Sequence, residues 1–242
     1  MEIFERLPYQ TRDEWLSMRV GGIGGSDCSS IVGLNPYKTN LQLWQEKVGL
    51  RTQPHVENEH TIYGQECEDA LRTIFQADHR NFLKVTHSND LLVRKDKSWL
   101  RASLDGEIEV LEDCKIISHH YNDTQLSEKD FVLELKKGMR GILEIKTADI
   151  LSSMHKEKWG NTIPDNYYCQ TIHYLNVTGY DFAIIFAQLT TTAKGVVTHQ
   201  TRTYGYMREN RLEDLKFIED KIDAFWLNNV LKKIEPPLQL NL

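Results

Sequence analysis

The chain is poor in the residues that would tie it to an oxidising compartment or a soft metal. Its four cysteines, Cys28, Cys67, Cys114 and Cys169, lie far apart, with no C-x-x-C pair. That spacing points neither to a zinc site nor to an iron–sulfur cluster, and a reduced cytoplasm is the natural compartment. No apolar run approaches the ~20 residues of a membrane span. The stretch Met1-Glu2-Ile3-Phe4-Glu5-Arg6 has no basic region followed by a long apolar segment, so it does not read as a secretory signal. Positive charge is in deficit too: 29 Lys and Arg against 35 Asp and Glu leave a net charge of −6. A general nucleic-acid coat is excluded, and any nucleic-acid contact must follow a local basic track. Repeats, low-complexity tracts and a convincing linker are missing, so residues 1–242 read as one domain. At 40% hydrophobic residues the chain can still build a sizeable core.

Two short segments stand out against this background, Ser103-Leu104-Asp105-Gly106 and Leu143-Glu144-Ile145-Lys146-Thr147. In the second, Leu143, Ile145 and Thr147 alternate with Glu144 and Lys146, the period of a half-buried strand. Glu144 and Lys146 then project together, with Leu143 and Ile145 anchored behind them. If Asp105 joins from a neighbouring strand, two carboxylates can ligate a hard, oxygen-loving cation. The lysine is left to orient or deprotonate a water. The plain alternative is an ion pair on a solvated strand beside an Asp-Gly turn, worth ~0–1 kcal/mol.

Thr11-Arg12-Asp13-Glu14 is a capping box opening a helix through Trp15 and Met18. After Arg19 comes Gly21-Gly22-Ile23-Gly24-Gly25-Ser26-Asp27, which is neither G-x-G-x-x-G nor a Walker A loop. It reads as a loop feeding a helix from Ser26 or Asp27 to about Gly33. Free N–H groups there, with Arg19, suit an anion; a plain turn with a Ser/Asp cap fits equally well. Thr39 caps a helix stopped by Gly49, residues 51–60 read as loop, and a longer helix follows from Thr61 to His79. Its expected apolar stripe is Tyr63, Cys67, Ala70, Leu71, Ile74 and Phe75. Glu68, on the stripe's edge, either pairs with Arg72 or leans into a site.

From Phe82 to Thr147 strands are expected: Leu83–Val93 with a turn at Ser88-Asn89-Asp90, Trp99–Ser103, Glu107–Leu111 and Phe131–Leu135. Residues 112–130, with His119, His120, Asn122 and Asp123, read as an exposed excursion. Residues 148–159 are expected to be helical, and Pro164 to open a helix ended by Gly179. Strands follow over Asp181–Leu189 and Val196–Tyr204, joined through 190–195. A packing helix spans 207–233, with Leu212, Leu215, Ile218, Ile222, Phe225, Trp226 and Val230 on one side. The tail, 235–242, is a proline-stopped extension, either disordered or docking on a partner.

In this order, the pieces resemble the phage lambda-type alkaline exonuclease (viral recombinase, YqaJ-like) family of the PD-(D/E)XK nuclease superfamily. The likeness covers about residues 11–190. It rests on Trp15-Leu16-Ser17-Met18-Arg19 with Gly24-Gly25-Ser26-Asp27, on Gly64 with Glu68 and Ala70, and on Ser103-Leu104-Asp105-Gly106. Leu143-Glu144-Ile145-Lys146 and Tyr168-Cys169-Gln170 with Tyr174 complete it. Leu104 stands where the family carries proline.

The resemblance implies an α/β fold, a mixed central sheet flanked by helices. It implies that Asp105, Glu144 and the Ile145 carbonyl hold Mg²⁺ (Mn²⁺ substituting), with Glu68 completing a carboxylate cluster. Lys146 would activate or position water, and Gln170 would orient Lys146 or the scissile phosphate. Arg19, Ser26 and Ser103 would grip a 5′-terminal phosphate. No arginine stands where the family's further phosphate contact follows the Glu-x-Lys strand; His155 or Lys156 are poor stand-ins. The implied function is Mg²⁺-dependent 5′→3′ digestion of double-stranded DNA ends, leaving 3′ tails for strand annealing. A ring-shaped homotrimer, a single-strand annealing partner and work in a bacterial host cytoplasm, phage or prophage encoded, are implied with it. A structure-specific or restriction-type endonuclease and an inactive DNA-binding scaffold are the alternatives.

Overall fold

The computed structural model describes residues 2–52, 58–118, 132–159 and 163–239, and only the backbone of 154–156. Capping chemistry sets the first helices. Glu14 N–H donates to Thr11 Oγ1 at 3.2 Å and Thr11 N–H to Glu14 Oε2 at 3.3 Å, opening α1 (Arg12–Val20). α2 (Gly25–Ile31) starts at Gly25, slightly earlier than expected, because Gly24 is its cap. Thr39 and Gln42 form the same reciprocal pair at the head of α3 (Asn40–Lys47), and Gly49 turns the chain away at φ +80°. α4 (Glu59–His79) begins two residues before Thr61, since Asn58 Oδ1 accepts from Thr61 N–H at 2.9 Å.

The strands in chain order are β1 (Phe4–Pro8), β2 (Leu83–Thr86), β3 (Asp90–Arg94), β4 (Arg101–Ala102), β5 (Gly106–Val110), β6 (Cys114–Ile117), β7 (Val132–Leu135), β8 (Arg140–Asp149), β9 (Phe182–Ala193) and β10 (Val196–Met207). The main sheet is mixed, ordered β10-β9-β8-β5-β2, with β8 and β9 parallel and the other pairs antiparallel. The parallel step needs a crossover, supplied by α5 (Ser153–Lys158) and α6 (Asp165–Thr178). α6 ends at Gly179, whose φ of +69° only glycine adopts freely. A smaller sheet, β1-β3-β4, brings the N-terminus alongside.

Both faces of the main sheet are covered. On one, Ile142, Ala183 and Ile185 pack with Ile172 and Leu175 of α6 and with Leu215, Ile218 and Ile222 of α7 (Leu212–Ala224). On the other, Leu143, Ile145, Ile184 and Phe186 meet Leu71 and Phe75 of α4.

Several expectations shift. Leu83–Val93 is not one paired unit, because β2 bonds β5 while β3 bonds β1 and β4. Part of the polar excursion is strand: β6 pairs with β7, burying Ile116 opposite Leu133. Residues 119–131, with His119, His120, Asn122 and Asp123, lie outside the described residues. β8 runs on to Asp149 because its parallel partner continues to Thr190, so the helix expected over 148–159 shrinks to α5. The 190–195 connection closes to two residues, Lys194 and Gly195, both at positive φ.

On α4 the buried residues are Leu71 and Phe75, while Tyr63 and Ile74 are exposed. The face turned to the sheet runs along Gly64, Leu71 and Phe75, and a Cβ on Gly64 would stand 3.1 Å from Thr147 Oγ1. α7 follows a tight turn at Arg208–Arg211 and continues through a wider helical turn, Phe225–Val230, with Leu212 left exposed. The tail is docked as far as Gln239 on its own chain. Asn40 Nδ2 donates to the Pro237 carbonyl at 2.7 Å, and Gln239 N–H donates to Asn40 Oδ1 at 2.9 Å.

Candidate active site

β8 alternates as its sequence predicts. Ile142, Glu144 and Lys146 face α6, and Leu143 and Ile145 face α4. Glu144 is completely buried, yet it stands among polar groups: Lys146 Nζ and Gln170 Nε2 both donate to its Oε1, the latter at 2.5 Å. Its Oε2 is buried with no hydrogen-bond partner. Asp105 arrives just before β5 and accepts from the Ile145 N–H at 2.8 Å through Oδ2. The two carboxylates are thus set side by side by the β5–β8 pairing, Gly106 opposite Leu143.

Glu68 reaches the same place from α4. Arg72 grips it at 2.6 Å and also donates to the Asp105 carbonyl at 2.5 Å. Both readings of Glu68 therefore hold together, since its i,i+4 partner ties it to the site. Burial pushes Glu68 up to about 7, with the Asp105 charge adding to it against Arg72. Burial, then Asp105, pushes Glu144 up to about 8. Burial works against the Lys146 ammonium, but Glu144 and Asp105 outweigh it and hold its pKa above the ordinary lysine value. Tyr167 lies under Lys146, its ring centre 5.0 Å from Nζ.

A second group of side chains opens into the same cavity. Arg19 Nη2 donates to Ser26 Oγ at 2.8 Å and stacks over Trp15, which donates from Nε1 to Ser103 Oγ at 2.8 Å. Asp27, buried, braces the group: Lys47 Nζ lies 2.9 Å and Arg19 Nη2 3.7 Å from its carboxylate. Burial opposes ionisation of Asp27, yet Lys47 and Arg19 hold its pKa well below the usual carboxylate range. The glycine loop is not an open cradle of N–H groups, because Gly24 N–H is taken by Asp27 Oδ2 at 3.2 Å. Its glycines make room instead. A Cβ on Gly25 would stand 2.5 Å from the Tyr174 ring and 2.7 Å from Gln170.

All the expected side chains, Arg19, Glu68, Ser26, Ser103, Asp105, Glu144, Lys146 and Gln170, gather at this one region. The side chains of His155 and Lys156 lie outside the described residues. The sequence reading missed Trp15 as a donor, Arg72 as the brace of Glu68, Tyr167 beneath Lys146, and Arg101, which also lines the cavity. The signal for Arg101 was available: Arg101, Ser103 and Asp105 alternate with buried Ala102 and Leu104.

Carboxylates and a main-chain carbonyl, without thiolate or imidazole, are the donor set of a hard divalent cation. The buried, unbonded Glu144 Oε2 fits that use, since an orphaned anionic oxygen is costly without a partner. Among the described residues no three His, Cys, Asp or Glu side chains converge closely enough to enclose an ion. Lys146, Gln170, the Ile145 N–H and Arg72 hold the carboxylates in place.

The comparisons with known proteins agree with this architecture. The chain is 29% identical over 182 residues to the uncharacterized protein YqaJ of Bacillus subtilis (strain 168), covering 75% of this chain and 47% of that protein. It is 44% identical over 54 residues to protein D345L of African swine fever virus (strain Badajoz 1971 Vero-adapted), 21% of this chain and 16% of that one. It therefore spans no more than about half the length of these relatives. Its fold matches the alkaline exonuclease LHK-Exo from Laribacter hongkongensis, with a TM-score of 0.59 at 19% identity over 92% of this chain and 94% of that one. The dAMP complex of LHK-Exo matches with a TM-score of 0.60. The shared fold is the α/β, PD-(D/E)XK type. A model of the YqaJ-like viral recombinase domain matches residues 14–181, from α1 through Asp105, Glu144, Lys146 and Gln170 to the end of α6, and the chain belongs to that family.

Proposed function

We propose that the chain is a metal-dependent 5′→3′ DNA exonuclease. It would take double-stranded ends and leave 3′ single-stranded tails for recombination by annealing. One observation carries the reading: the Asp105–Glu144–Lys146 group and the Arg19–Ser26–Ser103 group open into a single cavity. Carboxylates with a lysine suit phosphodiester hydrolysis, and guanidinium with hydroxyls suits a terminal phosphate. Held together, they place the scissile bond a fixed distance from a strand end.

Asp105, Glu144 and the Ile145 carbonyl would hold the Mg²⁺, or Mn²⁺ in its place, with Glu68 as a further carboxylate. When bound, the cation supplies Lewis acidity and a lowered water pKa. Lys146, kept charged by Glu144 and Asp105, positions the attacking water and donates to the phosphoryl oxygen as charge grows there. Gln170 holds Glu144 in place from α6. Arg19, Ser26 and Ser103 hold the end phosphate.

LHK-Exo binds dAMP, a nucleoside monophosphate, and the reading carries that product class over to this chain. The family likeness extends the proposal to a ring-shaped trimer, a single-strand annealing partner and the bacterial host cytoplasm. No helix among the described residues is long and apolar enough to cross a membrane.

The test uses linear duplex labelled at either end, beside a closed circle, with Mg²⁺ or EDTA. Metal-dependent loss of the 5′ strand with circles spared is expected. Cut circles would make the chain an endonuclease, and no cleavage with Mg²⁺ would leave a DNA-binding scaffold.

A further inference from the structure

α6 turns one face to β8, and that face carries more than Gln170. Tyr167, Gln170 and Tyr174 follow the i, i+3, i+7 spacing of a single helical stripe. Gln170 reaches Glu144, and Tyr174 receives the other contact of the same amide. Tyr167, in the first turn, reaches Lys146, two residues along β8 from Glu144, whose Nζ stands over the ring at 5.0 Å from its centre. Among the described residues the Tyr167 hydroxyl makes no hydrogen bond, so the ring face is the part of this side chain in use.

The ring is held from behind. Trp159, buried, lies 5.6 Å from it between ring centres and 5.7 Å from Tyr204 of β10. The Trp159 carbonyl accepts from Arg202 Nη1 at 2.8 Å and from the Tyr204 hydroxyl. Sheet register prepares this arrangement. Lys146, Ala187 and Arg202 form one row across β8, β9 and β10, and the small, buried Ala187 shares an apolar cluster with Trp159 and Tyr167.

Lysine carries a point charge on a flexible four-carbon stem, so charge alone does not fix where its N–H groups point. Glu144 Oε1 takes one of them. A ring face attracts the ammonium through its quadrupole, but it cannot take the proton as a carboxylate could. The other N–H groups are thereby left to the cavity that Lys146 lines. Leucine can fill much of the same space without the attraction, which separates this role from core packing. We propose that Tyr167 is the positioning residue that fixes the direction of the Lys146 ammonium. The proposal rests on the reading of this site as a phosphodiester hydrolase, in which Lys146 works on the attacking water and the phosphoryl oxygen.

The test compares Tyr167→Phe, which keeps the ring face, with Tyr167→Leu, which removes it, with thermal melting for both. A ring face shifts protons above it upfield in NMR. The Lys146 ε-methylene signal, assigned by its loss in Lys146→Arg, should therefore stand upfield of the other lysines. Tyr167→Phe should keep that shift and a turnover within about twofold of wild type. Tyr167→Leu should lose the shift and lower kcat by about five- to thirtyfold, the scale of a partly desolvated cation–π contact, with KM for duplex ends unchanged. A wild-type ε-methylene signal among those of the other lysines overturns the inference. So does a Tyr167→Leu protein that melts like wild type and keeps its kcat. Equal losses in Tyr167→Phe and Tyr167→Leu overturn it too, since they would place the role on the hydroxyl. If Tyr167→Leu fails to fold, the Tyr167→Phe signal decides, an upfield position supporting the assignment and an ordinary one overturning it. An upfield shift that depends on Tyr167 in a protein without Mg²⁺-dependent cleavage leaves the assignment standing and removes the exonuclease reading.

Discussion

Gln170 donates to Glu144 Oε1 at 2.5 Å, reaching from α6 across to the fully buried carboxylate of β8. Lys146 donates to the same oxygen, so one carboxylate atom is saturated and the other is bare. The helix therefore decides which oxygen of Glu144 is free. Tyr174, one turn on, receives a second contact from Gln170 Nε2 at 3.0 Å and fixes that amide.

Gln170→Ala should consequently lower turnover by about ten- to a hundredfold while end binding stays near wild type, because a positioned donor is worth 1.5–3 kcal/mol at a charged group. Losing a donor to the ionised form also raises the Glu144 pKa. The acid limb of the pH–rate profile should move to higher pH. A slower enzyme with an unmoved acid limb would show that Gln170 serves only packing.

The metal should bind more tightly as pH rises. Glu144 sits at about 8 and Glu68 at about 7, both raised by burial and then by the Asp105 charge. Below pH 7 both carry protons that a cation must displace; above pH 8 neither does. For the metal-free protein the linkage has the opposite sign. Two carboxyls raised above the ordinary value of 4.5 contribute stability that is present at low pH and lost as pH climbs through 7 and 8. The melting temperature gained from Mg²⁺ over EDTA should therefore grow between pH 6 and pH 9. Glu144→Gln should flatten that growth. An Mg²⁺ effect independent of pH would exclude these two carboxyls as ligands.

Lys146→Ala should abolish cleavage and leave end binding largely intact. The variant removes the cation that offsets burial of Glu144, whose pKa should then rise further and weaken the metal site. Folding should survive, because an unpartnered Glu144 can take a proton rather than remain a buried charge. Turnover within a few fold of wild type would remove Lys146 from the mechanism.

The site was legible in the sequence where one short segment carried both the chemistry and its period. Glu144 and Lys146, on alternate positions of a strand, needed only local geometry to place, whereas Asp105 joins them through the β5–β8 pairing, which the family resemblance implied. What stayed hidden depends on contacts between distant segments. Arg72 looked like an ordinary helix-surface partner of Glu68 until β5 put the Asp105 carbonyl under its Nε. The glycine loop looked like an anion cradle, but its Gly24 N–H is spent on Asp27 three residues ahead and its other glycines clear space for Arg101, Gln170 and Tyr174. The strand Cys114–Ile117 is short and has no partner near it in sequence; it pairs with β7, where Leu133 stands opposite the buried Ile116. The tail likewise needed Asn40, about two hundred residues away, to hold it.

Asp27 offers the last test, one of architecture rather than chemistry. It is buried, accepts from Gly24 N–H, and pairs with Lys47, whose ammonium is itself nearly sequestered and also donates to the Arg19 carbonyl at 3.1 Å. Burial depresses the Lys47 pKa, and the Asp27 charge is what opposes that fall. Asp27→Asn leaves Lys47 as a buried cation without a counter-charge, a loss of about 3–5 kcal/mol for a broken buried pair. In a chain of this size that corresponds to roughly 10 °C in melting temperature. Arg19 should lose its brace at the same time, so affinity for a phosphorylated end should fall. Asp27→Asn with Lys47→Met, which removes the stranded charge, should recover most of the melting temperature but not the end affinity. If the double variant melts as low as the single one, the buried pair is not what holds α2 against α3.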